Sequence, residues 1–195
     1  STGMSTSEEV QACIDIYSSS IHELSLLACT SSYPAPDNSL NLSSIKYFSS
    51  NYPSVSIGYS DHSVGNNACL VALSFGAKVL EVHFTDDTRI TGPDQILSKT
   101  NSDIASIVDY GAFVNTASGF MSKDMHPSEF FTWKSQRKSL FAKFDIQPGE
   151  PITYQNTVLR SPPLGISPVT LEVGTPFANQ SISKGKPIVR SSVNL

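Results

Sequence analysis

The sequence predicts a parallel α/β fold followed by a small β-rich domain, and three observations carry that prediction. Apolar runs of strand length at 24–29, 55–59 and 79–82 each end in a polar tip. A segment with apolar residues at helical spacing follows each of them. Beyond residue 138 the texture changes to short apolar runs separated by Gly- and Pro-containing turns. Strand, polar tip, helix and strand in repeated order is the βαβ pattern of a parallel sheet, where ligands gather at the carboxyl ends of the strands.

Bulk properties bound the possibilities. At 195 residues and 39 % apolar content the chain can bury a real core and suits one or two domains. A net charge of −4 with 15 % charged residues and no basic block argues against a nucleic-acid partner. The longest apolar run is far short of a membrane span, and no signal peptide opens the chain. Cys13, Cys29 and Cys69, an odd number in apolar patterned segments, read as reduced core thiols of a cytoplasmic protein. The sequons at Asn41 and Asn179 are read as chance matches.

Taken in order, Ser1-Thr-Gly-Met4 reads as the polar tip of a strand whose body is not in the chain. Ser5-Thr-Ser-Glu8 resembles a capping box, and Val10, Cys13, Ile14 and Tyr17 continue it as a helix that ends near 18–20. The run 24–29 is a strand covered on both faces, closed by Thr30-Ser-Ser-Tyr33 and the prolines Pro34 and Pro36. Leu42, Ile45, Tyr47 and Phe48 predict a second helix, stopped at Asn51-Tyr-Pro53. Strand 55–59, a helix between Gly65 and Gly76, and strand 79–82 follow. Ile104, Ile107, Val108, Gly111 and Val114 predict a further helix capped by Asn101 or Ser102. A closed eight-stranded barrel needs about 250 residues, so residues 1–116 supply half of one; an open doubly wound sheet is the alternative. Residues 117–137, with Met125-His-Pro127, read as a linker in which the helical period fades. Residues 138–195 form the β-rich domain, with strands at 139–146, 151–153, 157–159 and 187–189 and turns at Gln147-Pro-Gly149, Ser161-Pro-Pro-Leu-Gly165 and Ser183-Lys-Gly-Lys186.

The chemistry-bearing residues concentrate between Gly58 and Asp94. His62 and His83 each follow an apolar strand, and imidazoles at neighbouring strand ends converge as a divalent metal site requires. Equally, each can be a hydrogen-bonded histidine closing a strand. Two imidazoles are too few for a structural zinc site and suit an open site completed by water or substrate. Alternation puts Glu81 on the same face as His83, opposite Val82 and Phe84. The hydroxyls of Ser1, Thr2, Thr30, Ser31, Ser32 and Ser60 at strand tips can hold a phosphate or simply cap helices. Gly92-Pro-Asp94 follows a long charged loop, Asp86-Asp-Thr-Arg89. Arg160 precedes a proline turn. His22 and His126 have no constellation around them and read as structural.

Together these residues resemble the N-acetylneuraminate (sialic acid) synthase family, including the legionaminic and pseudaminic acid synthases. The matching pieces are Ser1-Thr-Gly-Met4, Cys29-Thr-Ser-Ser-Tyr-Pro34, Gly58-Tyr-Ser-Asp-His62, His83-Phe-Thr85, Gly92-Pro-Asp94, Arg137-Lys-Ser139, Asn156, and Arg160 with Gly165-Ile-Ser-Pro168. The resemblance implies the C-terminal half of a (β/α)8 TIM barrel, then a domain resembling type III antifreeze protein (an SAF domain). It implies a transferase that condenses phosphoenolpyruvate with an N-acylmannosamine-type sugar and water, giving a nonulosonic acid and phosphate. It assigns His62 and His83 to a Mn²⁺ or Mg²⁺ ion, and Glu81 and His83 to catalysis. Ser1, Ser31, Ser60 and His83 are implied to lie against phosphoenolpyruvate, and Tyr33, Asp94 and Arg160 to face the sugar. Arg160 is expected to act across a domain-swapped homodimer. Ser31 in place of an asparagine, Gln95 in place of a histidine and Ser161-Pro-Pro163 after Arg160 depart from the family pattern. The family's front half supplies lysines for the phosphate, so these residues alone are expected to be inactive. A non-catalytic carbohydrate-binding or dimerisation module built on the small domain is the alternative reading.

Overall fold

The computed structural model describes residues 1–17 and 24–194. They form two compact units, Ser1–Phe120 and Met121–Leu195. The end expected for the first helix at 18–20 and the structural reading of His22 lie outside the described residues.

The first unit is built on three parallel strands. Helix α1 (Ser7–Tyr17) buries Val10 and Ile14. Its capping box is Thr6 with Glu9, one residue later than predicted: the Thr6 hydroxyl accepts from the Glu9 amide and the Glu9 carboxylate accepts from the Thr6 amide. Strand β1 (Ser25–Cys29) pairs in parallel with β2 (Ser56–Asp61), which pairs in parallel with β3 (Val79–Val82). Between β1 and β2, helix α2 (Ser44–Asn51) buries Ile45 and Phe48 and stops at Tyr52, whose non-helical backbone precedes Pro53. Helix α3 (Asn67–Ser74) connects β2 to β3. It ends on Gly76 at φ +97°, where the Gly76 amide donates to Leu73 and the Ala77 amide to Ala72, a Schellman closure that needs the left-handed residue. Helix α4 (Asn101–Ala117) is capped by Thr100, not by the predicted Asn101 or Ser102. A reciprocal box with Asp103 fixes that start.

Strand order β1-β2-β3 follows chain order. Alternation along the strands separates two faces. Leu26, Ala28, Ile57, Tyr59 and Leu80 belong to an apolar core shared with Val10, Ile14, Ile45, Phe48, Ala68 and Ala72 of the helices. Gly58 lies on the other face, where a β-carbon would come within 2.4 Å of both Leu27 Cδ2 and Val79 O, so only glycine fits between β1 and β3. Strand β2 runs on through Ser60 and Asp61, which were expected in a polar tip. Cys69 is buried, as read from the sequence, but Cys13 is exposed, because it falls off the face that carries Val10 and Ile14.

In the second unit the segment read as a linker contains helix α5 (Phe130–Gln136). His126, exposed, accepts from the Ser128 amide and caps the turn before that helix. Strands β4 (Ser139–Ala142) and β5 (Thr157–Arg160) pair antiparallel. After helix α6 (Thr170–Val173), strands β6 (Phe177–Ala178) and β7 (Val193–Asn194) form a second antiparallel pair. The expected strands at 151–153 and 187–189 are only single bridges, Pro151 to Phe177 and Pro187 to Phe141. Leu140, Ala142, Ile146, Ile152, Ala178, Ile182, Ile188 and Val193 close the core. Among the described residues no helix is long and apolar enough to cross a membrane.

Candidate functional site

At the carboxyl ends of β1, β2 and β3 the face turned away from the helices becomes polar. Cys29 pairs in register with Ser60, and Ser60 with Glu81. The Ser60 hydroxyl donates to Glu81 Oε1 at 2.8 Å, and the Ser1 hydroxyl reaches the same oxygen at 3.5 Å. A recess of about 190 Å³ opens here, lined by Ser60, Asp61, His62, Glu81, Val82 and His83.

His62 and His83 sit one residue past the last paired positions, Asp61 and Val82. Their ring centroids are 5.3 Å apart at an interplanar angle of 68°. Each ring has a partner at Nδ1, a hydrogen bond for His62 and an ion contact for His83. His62 Nδ1 lies 3.0 Å from the Thr30 carbonyl and donates to it, and His83 Nδ1 contacts Asp94 Oδ2 at 3.5 Å. With Nδ1 engaged, a neutral imidazole presents the lone pair of Nε2, the arrangement that prepares a histidine to ligate. Tyr33, 53 % exposed, lies across both rings, 4.2 Å from His62 and 5.9 Å from His83 between centroids. The Ala35 amide donates to the His62 carbonyl, tying the Tyr33 loop to the end of β2.

Thus Ser1, Ser60 and Glu81 form one hydrogen-bonded group, and beside it ring contacts and the His83–Asp94 ion contact gather Tyr33, His62, His83 and Asp94. Ser31 approaches Gly3 on the Ser1 segment: a β-carbon at Gly3 would collide with Ser31 Oγ and press on Cys29 Sγ, so glycine allows the two loops to meet. Arg160 ends β5 in the second unit and is exposed. Among the described residues no three His, Cys, Asp or Glu side chains form a ready metal cage.

Sequence reasoning missed the group behind the histidines. Asp61, on the helix-facing side of β2, and Lys99 are both 1 % exposed and pair at 2.8 Å. Asp61 also accepts from the Ser63 amide, the Tyr59 hydroxyl and the Cys69 thiol. Lys99 Nζ donates further to the carbonyls of Ser63, Gly65 and Leu97. Burial works to raise the Asp61 pKa, but hydrogen bonds from Lys99 and Ser63 and the lysine charge outweigh it and hold the carboxyl below its usual range. Burial, with the neighbouring Asp61 charge second, pushes the Cys69 thiol up to about 12 and raises the Tyr59 hydroxyl as well. The available signal was a lysine closing the apolar pattern Ile96, Leu97 and a carboxylate inside a buried strand, each of which needs a partner.

Comparison with known proteins gives this geometry a context. The NeuB family model matches residues 1–123. The chain is 33 % identical to an N,N'-diacetyllegionaminic acid synthase of Campylobacter jejuni over 88 % of this chain and 52 % of that protein. It is 31 % identical to the N-acetylneuraminate-9-phosphate synthase of Mus musculus over 86 % of this chain and 47 % of that one. The crystal structure of an N-acetylneuraminic acid (sialic acid) synthetase from Leptospira borgpetersenii superposes with a TM-score of 0.62 at 31 % identity, covering 67 % of this chain and 45 % of that one. The chain spans about half the length of the curated relatives it matches.

Proposed function

The chain belongs to the NeuB family, and on that premise we propose that it is part of a cytoplasmic synthase condensing phosphoenolpyruvate with an N-acylmannosamine-type sugar and water, yielding a nonulosonic acid and phosphate. One observation carries the reading: two imidazoles at adjacent parallel strand ends, 5.3 Å apart and each engaged at Nδ1, stand beside a carboxylate that serine hydroxyls already orient. In this reading the first unit is half of a (β/α)8 barrel. Its chain-order strands, without the reversal at which doubly wound sheets bind ligands, support that choice. Residues 138–195, within the second unit, are read as the antifreeze-like domain.

The donor set fits a divalent cation, because two imidazoles engaged at Nδ1 can each present Nε2, and two ligands leave coordination positions open for water and substrate. His62 and His83 would hold Mn²⁺ or Mg²⁺, which supplies Lewis acidity to the sugar's aldehyde oxygen. Thr30 and Asp94 fix the ring orientations, and Tyr33 walls the site on the sugar side. Glu81, held at Oε1 by Ser60, is placed to accept or return a proton at the reacting carbons. The Ser31 hydroxyl would donate to a phosphoenolpyruvate oxygen, and Ser1 and Ser60, whose protons face Glu81, would lie against the same molecule. Among the described residues no lysine or arginine lines the recess, so in this reading the phosphate needs cations from beyond them. Arg160 is read as facing the sugar across a domain-swapped dimer, and the 195 residues alone are inactive in this reading.

Phosphate release from phosphoenolpyruvate by the full-length protein, with and without a mannosamine-type acceptor and divalent metal, tests the reading. His62→Ala or His83→Ala should lower that rate on the order of 10³-fold, the worth of several kcal/mol of charge stabilisation. Saturable, metal-independent sugar binding without phosphate release would assign the chain instead to a carbohydrate-binding module.

A further inference from the structure

The sheet ladder that aligns β2 with β3 stops at Asp61 and Val82, so main-chain pairing between these strands does not reach the two imidazoles. Lys99 takes over where it stops. Its amide donates to the His83 carbonyl at 2.7 Å and its carbonyl accepts from the Thr85 amide at 3.0 Å, extending the sheet past β3. Its side chain crosses to β2, where Nζ pairs with Asp61, the residue before His62, and donates to the Ser63 carbonyl, the residue after it. A third contact, to the Gly65 carbonyl at 2.6 Å, fixes the turn into α3. One buried residue therefore clamps the chain on both sides of His62 while its own backbone holds His83.

We propose that Lys99, with Asp61, is the positioning pair that sets the separation and orientation of His62 and His83 for a divalent cation; this rests on the metal-binding reading above. An ammonium has three N–H donors and here faces four acceptors, one of them a carboxylate, so its position is over-determined. A salt bridge placed only for stability has no need of this link, since a buried ion pair seldom outperforms an apolar pair of similar volume. The Asp61 carboxylate is taken up by Lys99, Tyr59 and Cys69 on the helix side of the sheet, so the pair acts through the strand ends.

The test measures Mn²⁺ affinity of the full chain by isothermal titration, alongside thermal unfolding and ¹⁵N resonances of the two imidazoles. Wild type should bind Mn²⁺ in a His62-dependent manner. Lys99→Met leaves Asp61 buried and uncompensated and should unfold readily. The double variant Asp61→Asn, Lys99→Met removes both charges and should recover thermal stability, yet its Kd for Mn²⁺ should rise about tenfold or more, as for loss of groups that orient metal ligands, with shifted imidazole resonances. Asp61→Asn alone, which keeps the shape and leaves Lys99 its carbonyl acceptors, should raise Kd less in the same direction, and serves if the double variant does not fold. Wild-type Kd and unshifted imidazoles in a folded variant overturn the positioning role alone. Absence of His62-dependent binding in the wild type overturns the metal reading and this proposal with it.

Discussion

The two faces of the three-stranded sheet are drawn from the same three strands and have opposite characters. Toward the helices, Ala28, Ile57, Tyr59 and Leu80 join a closed apolar core. On the other face, Leu27, Gly58 and Val79 give way, toward the carboxyl ends, to Cys29, Ser60 and Glu81, and then to His62 and His83. The helix side holds the sheet in place by apolar burial, and the opposite side offers donors and acceptors with an orientation that the sheet imposes. The division is not clean. The buried Asp61–Lys99 pair sits on the helix side, directly behind the histidines, so one polar group has been placed inside the stabilising layer.

The widest separation between the faces should come from Glu81→Gln in the full-length protein. It should cut turnover about 10²- to 10⁴-fold, the worth of a positioned proton-transfer group, while leaving the unfolding free energy within about 0.5 kcal/mol, as for other changes at exposed positions. Wild-type turnover in that variant would move the chemistry away from this face. Ile57→Ala, on the buried side of the adjacent strand, should do the reverse: urea denaturation should show a loss of about 2–5 kcal/mol through transfer and cavity terms. A loss below about 1 kcal/mol would mean that the helix layer is not the core.

The smallest effect is one of pH and concerns the exception. The folded-state pKa of Asp61 lies below its unfolded value, so the unfolded chain takes up the proton first. The stability that Asp61 contributes is therefore complete above about pH 4 and is lost as pH falls below it. The Asp61→Asn, Lys99→Met double variant should show a shallower acid decline than wild type in pH-dependent unfolding. An unchanged slope would mean that other carboxylates carry the acid sensitivity.

Much of this architecture was legible in the sequence because its periodicities are strong. The runs 24–29, 55–59 and 79–82 and the apolar spacing of Ile45 with Phe48 correspond to β1, β2, β3 and α2. Caps were less legible where hydroxyls crowd together. Ser5, Thr6 and Ser7, and again Thr100, Asn101 and Ser102, offer adjacent candidates, and which one caps depends on where the acidic partner, Glu9 or Asp103, completes the reciprocal box. Strands of two residues such as β6 and β7 carry no period, and their pairing is set by the core around Ile182 and Val193. At the site, alternation already placed Glu81 and His83 on one face. It could not supply the contacts of His62 with Thr30 and Tyr33, which come from loops remote in sequence.

By itself, then, the sequence determined the βα order, the shared face of Glu81 and His83, and the clustering of polar residues at the strand ends, since all three follow from local period and residue type. Only the tertiary structure decided which ring nitrogens are engaged, that Gly58 admits the close approach of β1 and β3, and that Lys99 reaches Asp61 beneath both histidines. Those are distances between segments remote in sequence, and they exist only once the parallel register has brought the strand ends side by side.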